Sequence, residues 1–302
     1  MFSKKITLNN GKEMPMLGLG TYKINTEKSV EDALRNALKC GYRHIDTALL
    51  YENEIFIGKA LLKIFKEGLV KREELFITSK LWNTYHEDPE RGIRTTLNNL
   101  QMDYIDLYLV HWPVKFKTNE NFESLKNEKG EIILDEFECV KLWNKMEKLL
   151  EKGLTKSIGV ANHGEHNLQL ILKECKIKPV VNQVEINPYL SQEGLVDFCH
   201  KNGINVISYS SFGGPTKSKY NLREDEELIK ISKKYNKTVS QVILSWLIKR
   251  DIMVIPKSTS EEHIKENAGI FDIEDEDMKK ISGLNKNFRF NDASSYGPDR
   301  FK

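Results

Sequence analysis

Four side chains suited to proton transfer stand at, or just after, the ends of short apolar runs in this sequence. Asp46 ends one run, and Tyr51 follows it by five residues. Lys80 and His111 each end a later run. An ammonium beside a phenol favours the phenolate, so we expect Lys80 to lower the pKa of Tyr51 toward a useful range. A carboxylate keeps a buried ammonium charged, so we expect Asp46 to pair with Lys80.

Together these side chains indicate the reduction of a carbonyl group. A phenol of lowered pKa protonates an oxygen that becomes anionic, as happens when hydride reaches a carbonyl carbon. A histidine such as His111 is suited to hydrogen-bond the carbonyl oxygen and orient it without itself being the acid. No side chain donates hydride, so this chemistry requires a cofactor. The sequence carries no cluster with the spacing of metal ligands, and we expect no metal.

Eight short strands, each followed by a helix, are predicted to position these residues. The strands are predicted over 17–21, 43–46, 75–79, 104–110, 157–160, 179–184, 205–208 and 253–255. Strict alternation of strands and helices favours an α/β fold with a parallel sheet, and eight such units favour a closed (β/α)8 TIM barrel. In such a barrel the carboxyl ends of the strands converge on one face. That face would carry Asp46, Lys80, His111, Asn162, Gln183, Tyr209 and Lys257.

The remaining segments close or extend the barrel, which we expect to be a single domain over 1–302. An N-terminal β-hairpin over 4–16, with an Asn-Gly turn at Asn10, is predicted to plug one mouth. An irregular polar stretch over 114–135 is either a functional lid or disordered. An extra C-terminal helix over 274–284 precedes an irregular tail over 285–302. Gly18 and Gly20 begin a glycine turn, but the third glycine of the dinucleotide fingerprint is missing.

Composition excludes several classes of partner. Lys and Arg number 46 against 44 Asp and Glu, so the net charge of +2 does not favour a nucleic acid or a membrane surface. We recognise neither a signal peptide nor an apolar run of membrane-spanning length. The four cysteines are widely spaced and are expected to be buried thiols in a reducing compartment. We therefore expect a cytoplasmic protein, a monomer or weak homodimer, that acts on a small molecule.

Two stretches of the sequence resemble signatures of the aldo-keto reductase family, and the likeness extends over essentially the whole chain. They are Gly41-Tyr-Arg-His-Ile-Asp-Thr-Ala with Glu54 and Gly58, and Ile255-Pro-Lys-Ser258. This family includes the aldose and xylose reductases. The resemblance therefore implies NADPH-dependent reduction of aldehydes and aldoses. It also implies a cofactor that lies extended across the barrel mouth without a Rossmann domain.

The resemblance assigns a role to individual positions of this chain. The catalytic tetrad corresponds to Asp46, Tyr51, Lys80 and His111, with Tyr51 as general acid. Asn162 and Gln183 would hold the nicotinamide carboxamide, Tyr209 would stack under the ring, and the stretch from Ser210 to Pro215 would cover the pyrophosphate. The cofactor-binding set is Gly20, Thr21, Tyr22, Asp46, Asn162, Gln183, Tyr209, Ser210, Ser211, Phe212, Gly213, Lys257, Ser258, Thr259, His263, Glu266 and Asn267. The substrate-binding set is Tyr22, Tyr51, Trp82, His111, Trp112 and Asn291, and Phe116 is expected at the same mouth.

Three departures from the family pattern bear on specificity. His263 stands where an arginine usually binds the adenosine 2′-phosphate, and histidine is mostly neutral at pH 7, so NADH use becomes plausible. Ala161 replaces a serine before Asn162, which removes one hydroxyl contact to the carboxamide. Tyr22 stands where aldose reductases usually carry tryptophan. The stretches 209–213 and 288–292 resemble the xylose reductases more closely, which favours sugar aldehydes and a contact from Asn291 to a substrate hydroxyl.

Two other functions are compatible with a barrel of this kind. A non-catalytic, nucleotide-binding regulatory barrel would keep the cofactor site without turnover. A barrel isomerase or lyase would need phosphate-binding glycines after the seventh and eighth strands, and Gly213 and Gly214 alone permit that weakly. The presence of all four catalytic side chains favours the reductase over both alternatives.

Overall fold

A computed structural model of the protein, which describes residues 2–214, 218–297 and 301, contains the predicted alternation of strands and helices. In chain order the strands are β1 (Lys5–Thr7), β2 (Glu13–Pro15), β3 (Leu19–Gly20), β4 (His44–Asp46), β5 (Phe76–Leu81), β6 (Leu107–Val110), β7 (Lys115–Phe116), β8 (Leu134–Asp135), β9 (Ile158–Ala161), β10 (Val181–Glu185), β11 (Asn205–Tyr209) and β12 (Ile252–Val254). The helices are α1 (Glu27–Lys39), α2 (Glu54–Lys66), α3 (Pro89–Leu100), α4 (Cys139–Glu151), α5 (Glu165–Glu174), α6 (Glu193–Lys201), α7 (Glu226–Tyr235), α8 (Val239–Lys249), α9 (Glu261–Asn267) and α10 (Asp275–Ser282).

Eight of these strands form one parallel sheet, in the spatial order β12, β11, β10, β9, β6, β5, β4, β3. Its two edges meet, because the Gly18 amide donates to the Val254 carbonyl at 2.9 Å and the Val254 amide donates to Met16 at 2.8 Å. Leu17 and Gly20 form parallel bridges to Val254 and Lys257. The predicted (β/α)8 barrel is confirmed.

The helices form where amphipathic spacing and capping residues coincide. In α1, Thr26 caps the amino end by accepting from the Ser29 amide, and the buried positions Val30, Ala33, Leu34, Ala37 and Leu38 recur at helical spacing. In α3, Asp88 caps the end and Pro89 occupies the first turn, where its missing N–H has no partner to lose. Such helices cover the outer face of the sheet, so strands β5, β6, β9 and β10 are buried along their whole length.

The amino-terminal hairpin of β1 and β2 covers the mouth opposite the strands' carboxyl ends. Asn9 donates to the Pro179 and Gly203 carbonyls, and Asn10 donates to Ser157 Oγ at 2.9 Å. Pro179, Gly203 and Ser157 precede strands β10, β11 and β9, so the hairpin rests on their amino ends. Met14 is fully buried there. The predicted plug is therefore present, and the opposite mouth stays open.

Three segments differ from the sequence-based expectation. The stretch 114–135 is neither irregular nor disordered, because β7 pairs antiparallel with β8 and bridges at Thr118 and Lys126 continue the ribbon. Between β4 and α2, which begins at Glu54, the chain forms a short 3₁₀ turn over Leu49–Tyr51 that the alternation of strands and helices did not predict. The tail is irregular as predicted, apart from a 3₁₀ turn over Ser294–Tyr296. Within the described residues, no helix has both the length and the apolar character required to cross a membrane.

Candidate active site

A cavity of about 580 Å³ opens at the carboxyl ends of the barrel strands. Among the predicted site residues, its walls include Gly20, Thr21, Tyr22, Asp46, Tyr51, His111, Trp112, Asn162, Gln183, Tyr209, Ser210, Ser211, Phe212, Gly213, Lys257 and Asn291. The geometric prediction that polar strand ends converge on one face is confirmed. A larger open cavity of about 920 Å³ lies beside α4 and α5 and shares only Tyr296 with this wall. Among the described residues, no group of three or more His, Cys, Asp or Glu side chains is placed to hold a metal ion.

Lys80 lies at the centre of a buried polar network beneath this cavity. Its side chain is 1% exposed, and its Nζ lies 2.6 Å from Asp46 Oδ1, 2.8 Å from the Thr47 carbonyl oxygen and 3.3 Å from the Tyr51 hydroxyl. The second carboxylate oxygen of Asp46 accepts a hydrogen bond from Gln183 Nε2 at 2.7 Å. The register explains the arrangement, because β4 and β5 are neighbours and Asp46 and Lys80 both lie near their carboxyl ends. One carboxylate therefore contacts both the ammonium and the amide.

The pKa of Tyr51, beside Lys80, differs from the expectation. Removal from solvent raises the pKa of Tyr51 well above its usual 10, and the negative charge of Asp46 and the neighbouring Tyr22 raise it further. Burial lowers the pKa of Lys80, while Asp46 and Glu54 oppose that effect. The prediction that the pKa of Tyr51 falls toward a useful range is therefore wrong for this structure, because burial and the charge of Asp46 outweigh the effect of the Lys80 ammonium. Tyr51 is a neutral phenol that carries its proton at physiological pH.

His111 is also held neutral. Burial, the charge of Lys80 and then His86 lower its pKa well below the usual 6.5. Its ring lies edge-on to Tyr51, with centroids 6.0 Å apart, and to Trp82, with centroids 5.4 Å apart. A neutral imidazole offers an N–H donor without competing with Tyr51 as an acid. The sequence-based assignment of His111 as an orienting donor fits this geometry.

The amide and aromatic side chains predicted to meet the cofactor are linked to one another. Tyr209 donates its hydroxyl to Asn162 Oδ1 at 2.6 Å, and Asn162 Nδ2 donates to the His111 carbonyl at 2.9 Å. Asn162 adopts a left-handed backbone conformation, with φ of 61°. That conformation is uncommon outside glycine, although asparagine tolerates it better than most residues. Asn162, Tyr209 and His111 therefore form a connected wall beside the Asp46 network.

The segment after β11 forms a turn over the open side of the cavity. The Gly213 amide donates to the Ser210 carbonyl at 2.8 Å, and Ser211 Oγ lies 2.8 Å from Ser208 Oγ. Pro215, which the resemblance placed at the end of this segment, lies outside the described residues. Arg223, which the sequence analysis did not single out, lines the same cavity with its guanidinium 5.2 Å from the Phe212 ring centroid.

The residues assigned by resemblance to the adenosine end are only partly on the cavity wall. Lys257 lines it, but the cavity walls do not include Ser258, Thr259, His263, Glu266 and Asn267. These residues lie in the turn before α9 and on α9 itself. Ser258 Oγ accepts from the Ser260 amide at 3.0 Å, and Glu266 accepts from Thr238 Oγ1 at 2.6 Å. Their contact with a cofactor stays a prediction.

Aromatic side chains surround the outer part of the cavity. The Tyr22 ring is 5.0 Å from the Tyr51 ring, and Tyr22 remains 50% exposed at the mouth. Trp82 packs against His111 and Phe116 but does not itself line the cavity. Tyr296, which the sequence analysis missed, packs against Trp112 at 5.2 Å and Phe116 at 5.3 Å. No local signal distinguishes Tyr296 from the other aromatic residues of the tail, Phe288, Phe290 and Phe301.

Comparison with known proteins places these observations in a family. A model of the Aldo/keto reductase family matches residues 16–286. The chain is 48% identical over 304 residues to the aldose reductase of Encephalitozoon cuniculi (strain GB-M1), covering 100% of both chains. The structure of the aldose reductase from Schistosoma japonicum is similar, with a TM-score of 0.91, 34% identity and 98% of each chain covered. A Bombyx mori aldo-keto reductase solved in complex with NADP gives a TM-score of 0.90 and 34% identity, covering 100% of this chain and 99% of the other.

Proposed function

The chain belongs to the aldo/keto reductase family, and from that premise we propose that it reduces aldehydes, sugar aldehydes among them, with Tyr51 as the proton donor. It is an NADP-dependent oxidoreductase that converts carbonyl groups to alcohols. One observation carries the proposal for Tyr51. The ammonium of Lys80 contacts both the Tyr51 hydroxyl and the Asp46 carboxylate directly beneath an open cavity.

The residues of the cavity fit a reduced nicotinamide dinucleotide. Asn162 and Gln183 supply amide groups of the kind that recognise a carboxamide, and Tyr209 supplies an aromatic face. Lys257 and Arg223 supply positive charge for phosphate groups. When bound, this cofactor supplies the hydride that no side chain can donate.

The roles of the chain's own residues follow from their charge states. Tyr51 transfers its proton to the carbonyl oxygen, which becomes strongly basic as the carbonyl is reduced. A phenol of raised pKa can still do this, because an alkoxide is a much stronger base than a phenolate. The phenolate that remains is stabilised by the Lys80 ammonium at 3.3 Å. Asp46 keeps that ammonium charged, and the neutral His111 ring donates a hydrogen bond to the carbonyl oxygen.

For the substrate, we propose an aldehyde carried on a short hydroxylated chain. Tyr22, Trp112 and Tyr296 provide an apolar wall, and Ser295 and Asn291 add polar groups. Asn291 Nδ2 is engaged with Glu185 and Ser210, which leaves its Oδ1 to accept from a substrate hydroxyl.

The four free cysteines support the predicted cytoplasmic location. The expected monomer or weak homodimer stays a prediction.

The test is oxidation of NADPH, followed at about 340 nm, the nicotinamide absorbance band, with a panel of aldehydes and aldoses. Tyr51→Phe removes the proton donor and keeps the ring, so we expect kcat to fall by about 10³-fold, within the usual range for general acids. NADPH binding, measured by fluorescence, should change less than twofold.

Tyr104→Phe is the matched control, because the Tyr104 ring packs against Arg72 and Lys156 away from the cavity. Its kcat should equal that of the wild type. Full activity in Tyr51→Phe would exclude Tyr51 as the acid. If the wild type bound NADPH but reduced no aldehyde, the regulatory-barrel alternative would replace the reductase.

A further inference from the structure

Glu185, the last residue of β10, is fully buried and binds the carboxyl-terminal tail of the chain. Its carboxylate accepts from the Phe290 amide at 2.7 Å, from the Asn291 amide at 2.9 Å and from Asn291 Nδ2 at 3.1 Å. A buried carboxylate is costly unless its oxygens accept hydrogen bonds. These three donors therefore tie residues 290 and 291 to the end of a barrel strand, more than 100 residues earlier in the chain.

Asn291 connects this anchor to the segment that follows β11. Its Nδ2 also donates to Ser210 Oγ at 3.0 Å, so one amide group bridges Glu185 and Ser210. The Phe290 ring lies directly on Gly213 and Gly214. A Cβ on Gly213 would come within 2.7 Å of that ring, and one on Gly214 within 2.8 Å, so neither position accommodates a side chain without movement. The tail and the segment over 210–214 are packed as one unit.

A series of aromatic contacts extends the same unit. The ring centroids of Tyr189 and Tyr220 lie 5.5 Å apart, those of Tyr220 and Phe288 lie 4.8 Å apart, and those of Phe288 and Phe290 lie 5.0 Å apart. The Lys286 and Phe288 amides both donate to the Tyr189 carbonyl at 3.0 Å. Three stretches that are distant in sequence therefore meet: the loop after β10, the segment after β11 and the tail.

This unit borders both halves of the cavity. Ser210, Gly213 and Gly214 line the half assigned to the dinucleotide. Ala293, Ser295 and Tyr296, which come shortly after Asn291 in the tail, line the same cavity on the side proposed above for the substrate. A displacement of Asn291 would therefore disturb both halves at once.

We propose that Glu185 is a positioning residue that couples dinucleotide binding to the substrate wall, through Asn291 and Ser210. The proposal rests on the function proposed above. Glu185 contacts neither ligand; it holds the tail where the segment over 210–214 can pack on it. Ordering of that segment by the dinucleotide restrains Phe290 and Asn291, and the restrained tail completes the wall that binds the aldehyde. Loss of the anchor weakens both binding steps.

Glu185→Gln is the first test, because glutamine keeps the shape but turns an N–H₂ group toward N–H donors. We expect the NADPH dissociation constant, measured by quenching of tryptophan fluorescence, to rise about tenfold, the effect of one buried hydrogen bond to a charged group. The KM for an aldehyde should rise by a similar factor, with kcat within about threefold of wild type. Glu165→Gln, at an exposed glutamate of α5, is the matched control and should change neither constant.

A double-mutant cycle tests the route of the coupling. Ser210→Ala removes the second acceptor of Asn291, so the effects of Glu185→Gln and Ser210→Ala on the NADPH dissociation constant should not add. If the Glu185→Gln variant does not fold, the Asn291→Ala variant takes its place in the cycle. In that variant the backbone amides of residues 290 and 291 still donate to Glu185. Additive effects, or a lowered melting temperature with both constants unchanged, would overturn the proposal.

NADPH binding is measured by fluorescence without turnover, so it can be tested independently of the reaction. A wild type that binds NADPH but reduces no aldehyde would refute the proposed function, while the fluorescence comparison would still decide the role of Glu185.

Discussion

The replacement Asp46→Asn tests the central claim that a carboxylate keeps Lys80 charged for catalysis. The Asp46 and Lys80 side chains are 2% and 1% exposed, and their charged atoms lie 2.6 Å apart. Asparagine retains the shape and one acceptor oxygen but removes the negative charge. The variant therefore presents a buried lysine without its counter-ion, which is costly whether the lysine stays charged or not.

The magnitude follows from comparing the two states open to that lysine. An unpaired buried charge costs about 3–5 kcal/mol. Deprotonating a lysine of ordinary pKa 10.5 at pH 7 costs about 5 kcal/mol at about 1.4 kcal/mol per unit, and burial, which lowers the pKa of Lys80, reduces that figure. We therefore expect Lys80 to be neutral in the variant, with a loss of stability of about 3 kcal/mol. A neutral amine does not stabilise the Tyr51 phenolate, so kcat should fall about 10²- to 10³-fold.

The assay is single-turnover reduction with saturating NADPH, alongside urea unfolding at pH 7. Asp106→Asn is the matched control, because Asp106 pairs with Arg72 at 2.8 Å in a second, partly buried ion pair on the opposite end of the barrel. It should lose comparable stability with an unchanged rate. If the two variants lose activity equally, the rate loss reflects destabilisation alone, and the charge of Lys80 has no catalytic role.

Two further predictions concern buried histidine and cofactor choice. Burial lowers the pKa of His163 from 6.5 to about 4, so the unfolded chain takes up a proton first as the pH falls and stability is lost across that interval. His163→Phe should therefore remove about 3 kcal/mol of the stability difference between pH 7 and pH 4, measured by urea unfolding at each pH. An unchanged stability difference in this variant would contradict the prediction. For the cofactor, Arg223→Ala should weaken NADPH and NADH about equally, by roughly threefold to tenfold, because Arg223 lies beside Phe212 in the segment assigned to the shared pyrophosphate. His263→Arg should strengthen the binding of NADPH by about tenfold and leave NADH binding unchanged. Isothermal titration calorimetry with each cofactor measures both affinities, and any other pattern would contradict these assignments.

The barrel and its polar strand ends could be predicted because both follow from local pattern. A parallel strand buried on both faces is apolar, so Asp46, Lys80 and His111 stand out at the points where the apolar runs stop. Once eight such units are counted, barrel closure brings those ends to one face without further information. The cavity walls agree with that prediction at every strand end except Lys80, which lies buried beneath the cavity.

The direction of the Tyr51 pKa shift could not be predicted in the same way, because burial and a nearby ammonium act in opposite directions on a phenol. The sequence shows which groups are near, and a nearby ammonium lowers the pKa of a phenol. It does not show how far the phenol is removed from water, and in the structure burial and the Asp46 charge raise the pKa. Glu185 and Tyr296 were missed for a related reason. Their roles come from contacts between the tail and distant strands, which no local periodicity encodes.

Asp46 links the proton donor to the cofactor site, so its replacement is predicted to impair both the rate and NADPH binding. One of its oxygens accepts from Lys80 and the other from Gln183, the residue assigned to the carboxamide. The Asp46→Asn variant therefore cannot satisfy both donors with two acceptor oxygens, since one oxygen becomes an N–H₂ group. Either Lys80 accepts from that N–H₂ group as a neutral amine, or the Gln183 amide rotates so that its oxygen accepts, which changes the group that the cofactor carboxamide would meet. A defect in NADPH binding that accompanies the loss of rate would follow directly from this geometry, whereas a role for Asp46 in proton transfer alone predicts unchanged NADPH affinity.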